Sequence, residues 1–113
     1  IMEKASFNTG LEFNPNKPVI TKVLESDFTK EIRIALANGV EMKEHQTPYP
    51  IVVQVLSGCI DFGTKDGNTT LCSGDVVSLV GSIPHYLIAK EDSVVRLSLS
   101  MLDDENRVKK AAE

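Results

Sequence analysis

Two histidines, His45 and His85, are the residues of this chain best suited to chemistry, and the chain has no others. A neutral imidazole titrating near pH 6.5 can take a proton, give a lone pair to a metal, or hydrogen-bond a buried ligand. Thr47 stands two positions after His45 in a short polar stretch, Glu41 to Thr47, that reads as a strand. Residues two apart on a strand share a face, so the Thr47 hydroxyl is expected beside the His45 ring. No Asp or Glu is spaced so as to orient either imidazole. The remaining reactive groups are Cys59 and Cys72, either side of the hairpin signal Lys65-Asp66-Gly67-Asn68. They could lie near each other, and two buried reduced thiols are expected in preference to a disulfide.

The elements that must position these groups are short strands. Val19 to Glu25 is rich in β-branched residues. Glu31 to Leu36 alternates as a half-buried strand does. Asn38-Gly39 is a tight-turn pair. Ile51 to Leu56 is apolar on both faces, as a central strand covered on two sides would be. Cys59–Thr64, Thr69–Cys72, Val76–Val80, His85–Lys90 and Ser93–Met101 complete the series, with Val95, Leu97 and Leu99 on one face of the last. This spacing predicts an all-β sandwich or barrel. One domain is expected, with its core about residues 19–101, an N-terminal arm over 1–18 and a helical tail over 102–113. In the tail, Asp103 is placed to cap a helix whose later lysines, Lys109 and Lys110, suit its dipole. Its charges, like Arg33 and Gln54, read as solvated or interface polar groups. Tyr49, between Pro48 and Pro50, reads as a rim aromatic.

Composition removes several classes of function. The chain has 113 residues, 42% of them hydrophobic and 25% charged, which suits a packed globule. The formal net charge is −4 with no basic cluster, so no nucleic-acid partner is expected. No apolar run approaches the roughly 20 residues that span a bilayer, so no membrane partner is expected either. The sequence turns polar directly after Ile1-Met2, which reads as no encoded signal peptide and a cytoplasmic setting. The isoleucine ahead of Met2 reads as a trimmed or cloned start.

Gly39, His45, Gly58, Gly74 and His85 fall in a pattern that resembles the two motifs of the cupin superfamily. The first family motif runs from Gly through His-x-His and Glu to a closing Gly, and the second from Gly through Pro-x-Gly to His. Here Thr47 stands for the second His, Ile51 for the Glu, Val80 for the Pro and Ser82 for the Gly. The resemblance implies a cupin double-stranded β-helix, a jelly-roll barrel of the RmlC-like type, closed by a short C-terminal helix. It also implies that His45 and His85 face one cavity as tentative metal ligands. Ile51 has no lone pair and a neutral Thr47 hydroxyl is a poor ligand, so the motif is degraded and any divalent metal is expected to be weakly held.

Three functions follow from the resemblance. The first is a small-molecule-binding module, its pocket built from His45, Thr47, Ile51, Val53, His85 and Leu87, with Leu97 in the wall and a carboxylate, hydroxyl or enol oxygen on the imidazoles. The second is an enzyme of dioxygenase, isomerase or epimerase type, using a metal or a histidine base. The third is a structural homodimer module with a vestigial cavity. The arm and the apolar strand Ile51–Leu56 point to a homodimer under any of the three.

Overall fold

The computed structural model describes residues 1–113. Nine strands precede one helix: β1 (Val19–Glu25), β2 (Thr29–Leu36), β3 (Glu41–His45), β4 (Ile51–Ser57), β5 (Cys59–Thr64), β6 (Gly67–Cys72), β7 (Val76–Leu79), β8 (His85–Ala89), β9 (Ser93–Ser100) and α1 (Glu105–Ala111). They form two antiparallel sheets, ordered β1-β2-β9-β4-β7 and β3-β8-β5-β6. The first sheet pairs strands distant in sequence, such as β2 with β9, as a jelly roll requires. The expected all-β barrel with one short C-terminal helix is what the chain forms.

Alternation builds the core. Ile32 and Ile34 of β2, Ile51, Val53 and Val55 of β4, and Val95, Leu97 and Leu99 of β9 point inward from the larger sheet. Met42, Ile60, Phe62, Leu71 and Leu87 meet them from the smaller one. At about 25 cal/mol per Å² of apolar surface removed from water, such side chains supply most of the force for folding. The strand β4 is covered on one face only. Val52 and Leu56 on its other side are more than a third exposed, so the expectation of cover on both faces is not met within one chain.

The tail is not a solvated helix face. Asp104, not Asp103, caps α1, accepting from the Asn106 amide. Asp103 is 4% exposed, and Val108 and Ala111 join the core. The helix packs against β1 and β3, the outermost strands of the two sheets, and so closes the seam between them. Lys22 of β1 pairs with Glu105 of α1 at 3.0 Å.

Arg33 is likewise buried rather than solvated, at 3% exposed. Its Nη1 donates to the carbonyls of Phe7 and Thr9, and its Nη2 to that of Gly10. The arm is therefore held against the outer side of its own sheet, with the Phe7 ring 5.9 Å below the Arg96 guanidinium.

Cys59 and Cys72 form a disulfide, and no free cysteine remains. The expectation of reduced thiols is corrected by register: the two residues sit directly opposite each other where β5 pairs with β6. Neither is fully buried.

Candidate functional site

The strand β3 brings His45 to its place by breaking its own alternation. Met42 pairs with Leu87, and His45 with His85, although an unbroken ladder would put Glu44 opposite His85. The register shift between Met42 and His45 inserts one residue, as a β-bulge does, and turns His45 to the side that Met42 already faces. Leu87 and His85 are two apart on β8 and share that inner face.

The loop before β8 then fixes His85. The Ser82 amide donates to the Thr47 carbonyl, and Gly81 lies so close to Pro48 that a Cβ there would meet the Pro48 carbonyl oxygen at 2.2 Å. Ser82 has φ 65°, so the left-handed conformation suited to glycine persists at this motif position with serine in it. The two segments of the degraded motif thus touch each other through their backbones.

The two imidazoles meet edge to face, with ring centroids 4.3 Å apart. Phe62 stacks on the His85 ring at 5.6 Å. His45 Nδ1 lies 2.7 Å from the Lys43 carbonyl and His85 Nδ1 lies 2.8 Å from the Ile83 carbonyl. A carbonyl only accepts, so Nδ1 carries the proton in both rings and each neutral Nε2 holds a bare lone pair. Burial pushes the His45 pKa down to about 4, and the charges of His85 and Arg107 act the same way, against the Lys43 hydrogen bond. Burial, with the Arg107 charge, lowers His85 too, against the Ile83 hydrogen bond and Glu44. Both rings are neutral at neutral pH.

Thr47 is committed elsewhere. Its Oγ1 donates to Asp103 Oδ2 at 2.7 Å and accepts from the Tyr49 amide at 3.2 Å. Asp103 also takes Arg107 on both oxygens, at 3.1 Å from Nε and 2.9 Å from Nη2, and the Asp104 amide. Burial by itself raises the Asp103 pKa, but the hydrogen bonds from Arg107 and Thr47 hold it below the usual carboxylate value. Ile51, Val53 and Leu87 are packed into the core. None of the three surface depressions is lined by His45 or His85; the one that Ile51 borders lies on the outer side, between Thr29, Ser78 and Ser98.

The metal that a cupin barrel commonly carries finds a poor fit here. Two imidazole nitrogens converge, but Ile51 offers no donor, the Thr47 hydroxyl is taken by Asp103, and no cluster of three His, Cys, Asp or Glu side chains is placed to hold an ion. Sequence reasoning missed Phe62, Asp103 and Arg107 as neighbours of this site. The four-residue spacing from Asp103 to Arg107 was the available signal for the last two.

Comparison with known proteins bears on the fold. No family model matches the chain, and no curated protein matches it. Solved structures do. An RmlC-like cupin from Desulfovibrio desulfuricans superposes with a TM-score of 0.80 at 22% identity, over 88% of this chain and 97% of that one. A cupin superfamily protein from Desulfitobacterium hafniense gives 0.73 at 17% identity, over 80% and 83%. The structure of KdgF from Halomonas gives 0.71 at 19%, over 77% and 81%. The chain therefore has the RmlC-like cupin fold, a small single-domain jelly roll.

Proposed function

We propose that this cupin barrel binds a small molecule at the His45–His85 pair. The observation that carries this reading is a geometry the two rings share: each Nδ1 lies within hydrogen-bond distance of a backbone carbonyl on its own chain segment, which assigns the proton to Nδ1 and the lone pair to Nε2 in adjoining rings. Neither Nε2 has a hydrogen-bond partner within the protein, and a bound hydroxyl or enol can supply the missing hydrogen. A carboxylate, the third oxygen considered from the sequence, brings only further lone pairs. Ile51, Val53 and Leu87 form the apolar surroundings.

Two features favour binding over catalysis. A His45 pKa near 4 makes a weak base at neutral pH, far from the value suited to general base work. The incomplete donor set makes a tightly held metal an unsuitable cofactor, so metal content is expected to be well below one ion per chain. We further propose a homodimer, supported by the exposed outer side of β4 and of the edge strand β7, where Val52, Leu56 and Val76 stand in water. The cytoplasmic setting read from the sequence is in tension with the Cys59–Cys72 bond, since disulfides persist mainly in oxidising compartments. No helix is long and apolar enough to cross a membrane.

A ligand screen by thermal shift, repeated on His85→Ala, tests the reading. A compound that stabilises the wild type and not the variant supports it. Stabilisation that survives the substitution contradicts it.

A further inference from the structure

Every hydrogen bond that ties residues 1–18 to the rest of the chain is donated by one side chain, Arg33 of β2. Its Nη1 reaches the Phe7 and Thr9 carbonyls at 2.9 Å each, and its Nη2 the Gly10 carbonyl at 3.2 Å. The arm adds no strand to either sheet and enters no ion pair. From Ile1 to Phe13 every residue but Phe7 is exposed, so apolar burial adds little to its hold. One guanidinium is the latch.

That guanidinium lacks a counter-charge. Arg33 is 3% exposed, no carboxylate pairs with it, and its Nε is buried without a partner. Directly opposite it in the ladder stands a second cation, Arg96, and like charges so placed repel. The Glu31 carboxylate is bonded to Arg96, Ser98 and Thr29, not to Arg33. A buried cation without an anion is costly, and neutral carbonyls compensate it less well than an oxyanion does.

We propose that Arg33 is an oxyanion site covered by the arm, and that a phosphate or carboxylate group releases the arm by taking the place of its three carbonyls. The space such a group needs is the space those carbonyls fill. The arm competes as a tethered segment, with an effective concentration on the order of 1 mM, so release is expected near that concentration of anion. Phe7 leaves Arg96 in the same step, and the outer side of β2 and β9 is uncovered.

The test follows the arm in the full-length protein by backbone NMR, with the heteronuclear NOE of residues 5–12 as the readout. Sodium phosphate, acetate and chloride are added at matched ionic strength to the wild type and to Arg33→Gln. The wild-type arm should be rigid without anion and loosen saturably with phosphate, acetate or both, but not with chloride. Phosphate acting alone assigns the site to phosphate groups, and acetate acting as well extends it to carboxylates. In Arg33→Gln the arm should be loose from the start and indifferent to every salt. Should that variant not fold, the wild-type Arg33 guanidinium resonances provide the readout, and they should shift with the effective anion and not with chloride. An arm that stays rigid in folded Arg33→Gln, or is already loose in the wild type, overturns the latch. Loosening by chloride to the same extent, no loosening by either oxyanion, or guanidinium resonances that stay still overturns the oxyanion site.

Discussion

The Thr47 hydroxyl donates to Asp103 Oδ2 at 2.7 Å, joining the second-histidine position of the first motif to the residue before the cap of the C-terminal helix. Both residues are almost fully buried. The bond explains why a polar Thr stands in an apolar setting: it helps satisfy the carboxylate that in turn holds Arg107. Thr47→Val should cost about 1–2 kcal/mol, a buried hydrogen bond with its acceptor left short of one donor. Asp103→Ala should cost more, about 3 kcal/mol, because it strands a largely buried guanidinium. Urea denaturation of the two variants checks the order, which reverses if the carboxylate is not the centre of the cluster.

Acidification should weaken the fold through Glu31. Its burial raises the carboxyl pKa, but hydrogen bonds from Ser98, Thr29 and Arg96 outweigh that and hold it low. A carboxylate with a folded pKa below its unfolded value binds fewer protons when folded. It contributes stability that is fully present above the unfolded value, near 4.3, and lost as pH falls through the folded one. Unfolding midpoints measured from pH 7 to pH 3 should decline below about pH 4.5. Glu31→Gln should lie below the wild type at pH 7, and the gap should narrow as the pH falls.

The contact between Gly81 and Pro48 should be intolerant of any side chain. A Cβ at Gly81 meets a backbone oxygen, which cannot rotate away as a flexible side chain would. Gly81→Ala should cost about 2–3 kcal/mol, in the range of overpacking. Ser82→Gly next to it should do the opposite, stabilising by about 0.5 kcal/mol, as relief of a left-handed serine outweighs the flexibility that glycine adds to the unfolded chain. Equal effects of the two substitutions would contradict the account of this loop.

The Cys59–Cys72 bond closes a hairpin with a sequence separation of 13. Cross-linking a loop of this size is worth about 3 kcal/mol in the chain-entropy account. Cys59→Ser with Cys72→Ser should therefore lower stability by that order. Thiol titration of the denatured, unreduced wild type should find no free thiol, whereas two titrating thiols would contradict the pairing.

Much of this architecture is legible in the sequence because short strands announce themselves by alternation and punctuation. Val19–Glu25 and Cys59–Thr64 have the boundaries that propensity suggests. His45 and His85 come together as the motif spacing implies, although the route differs. The bulge in β3 that turns His45 inward has no sequence signal, since Lys43 and Glu44 read as ordinary exposed strand residues. Asp103 and Arg107 were read as solvated because charged residues at a chain end usually are. Only the seam between β1 and β3 makes their burial possible, and a seam is a property of the closed barrel. The cysteines illustrate the same point: the general rarity of disulfides in reducing compartments argued one way, and direct cross-strand register decided the other.

The central claim is that the paired Nε2 atoms of His45 and His85 are the ligand contact. A crystal structure of the protein with a compound that stabilises it tests this most directly. The account predicts ligand density at about 2.6–3.2 Å from at least one Nε2, with both rings keeping their Nδ1 bonds to Lys43 and Ile83. Density in one of the outer depressions, with the imidazole pair unchanged and untouched, would contradict it.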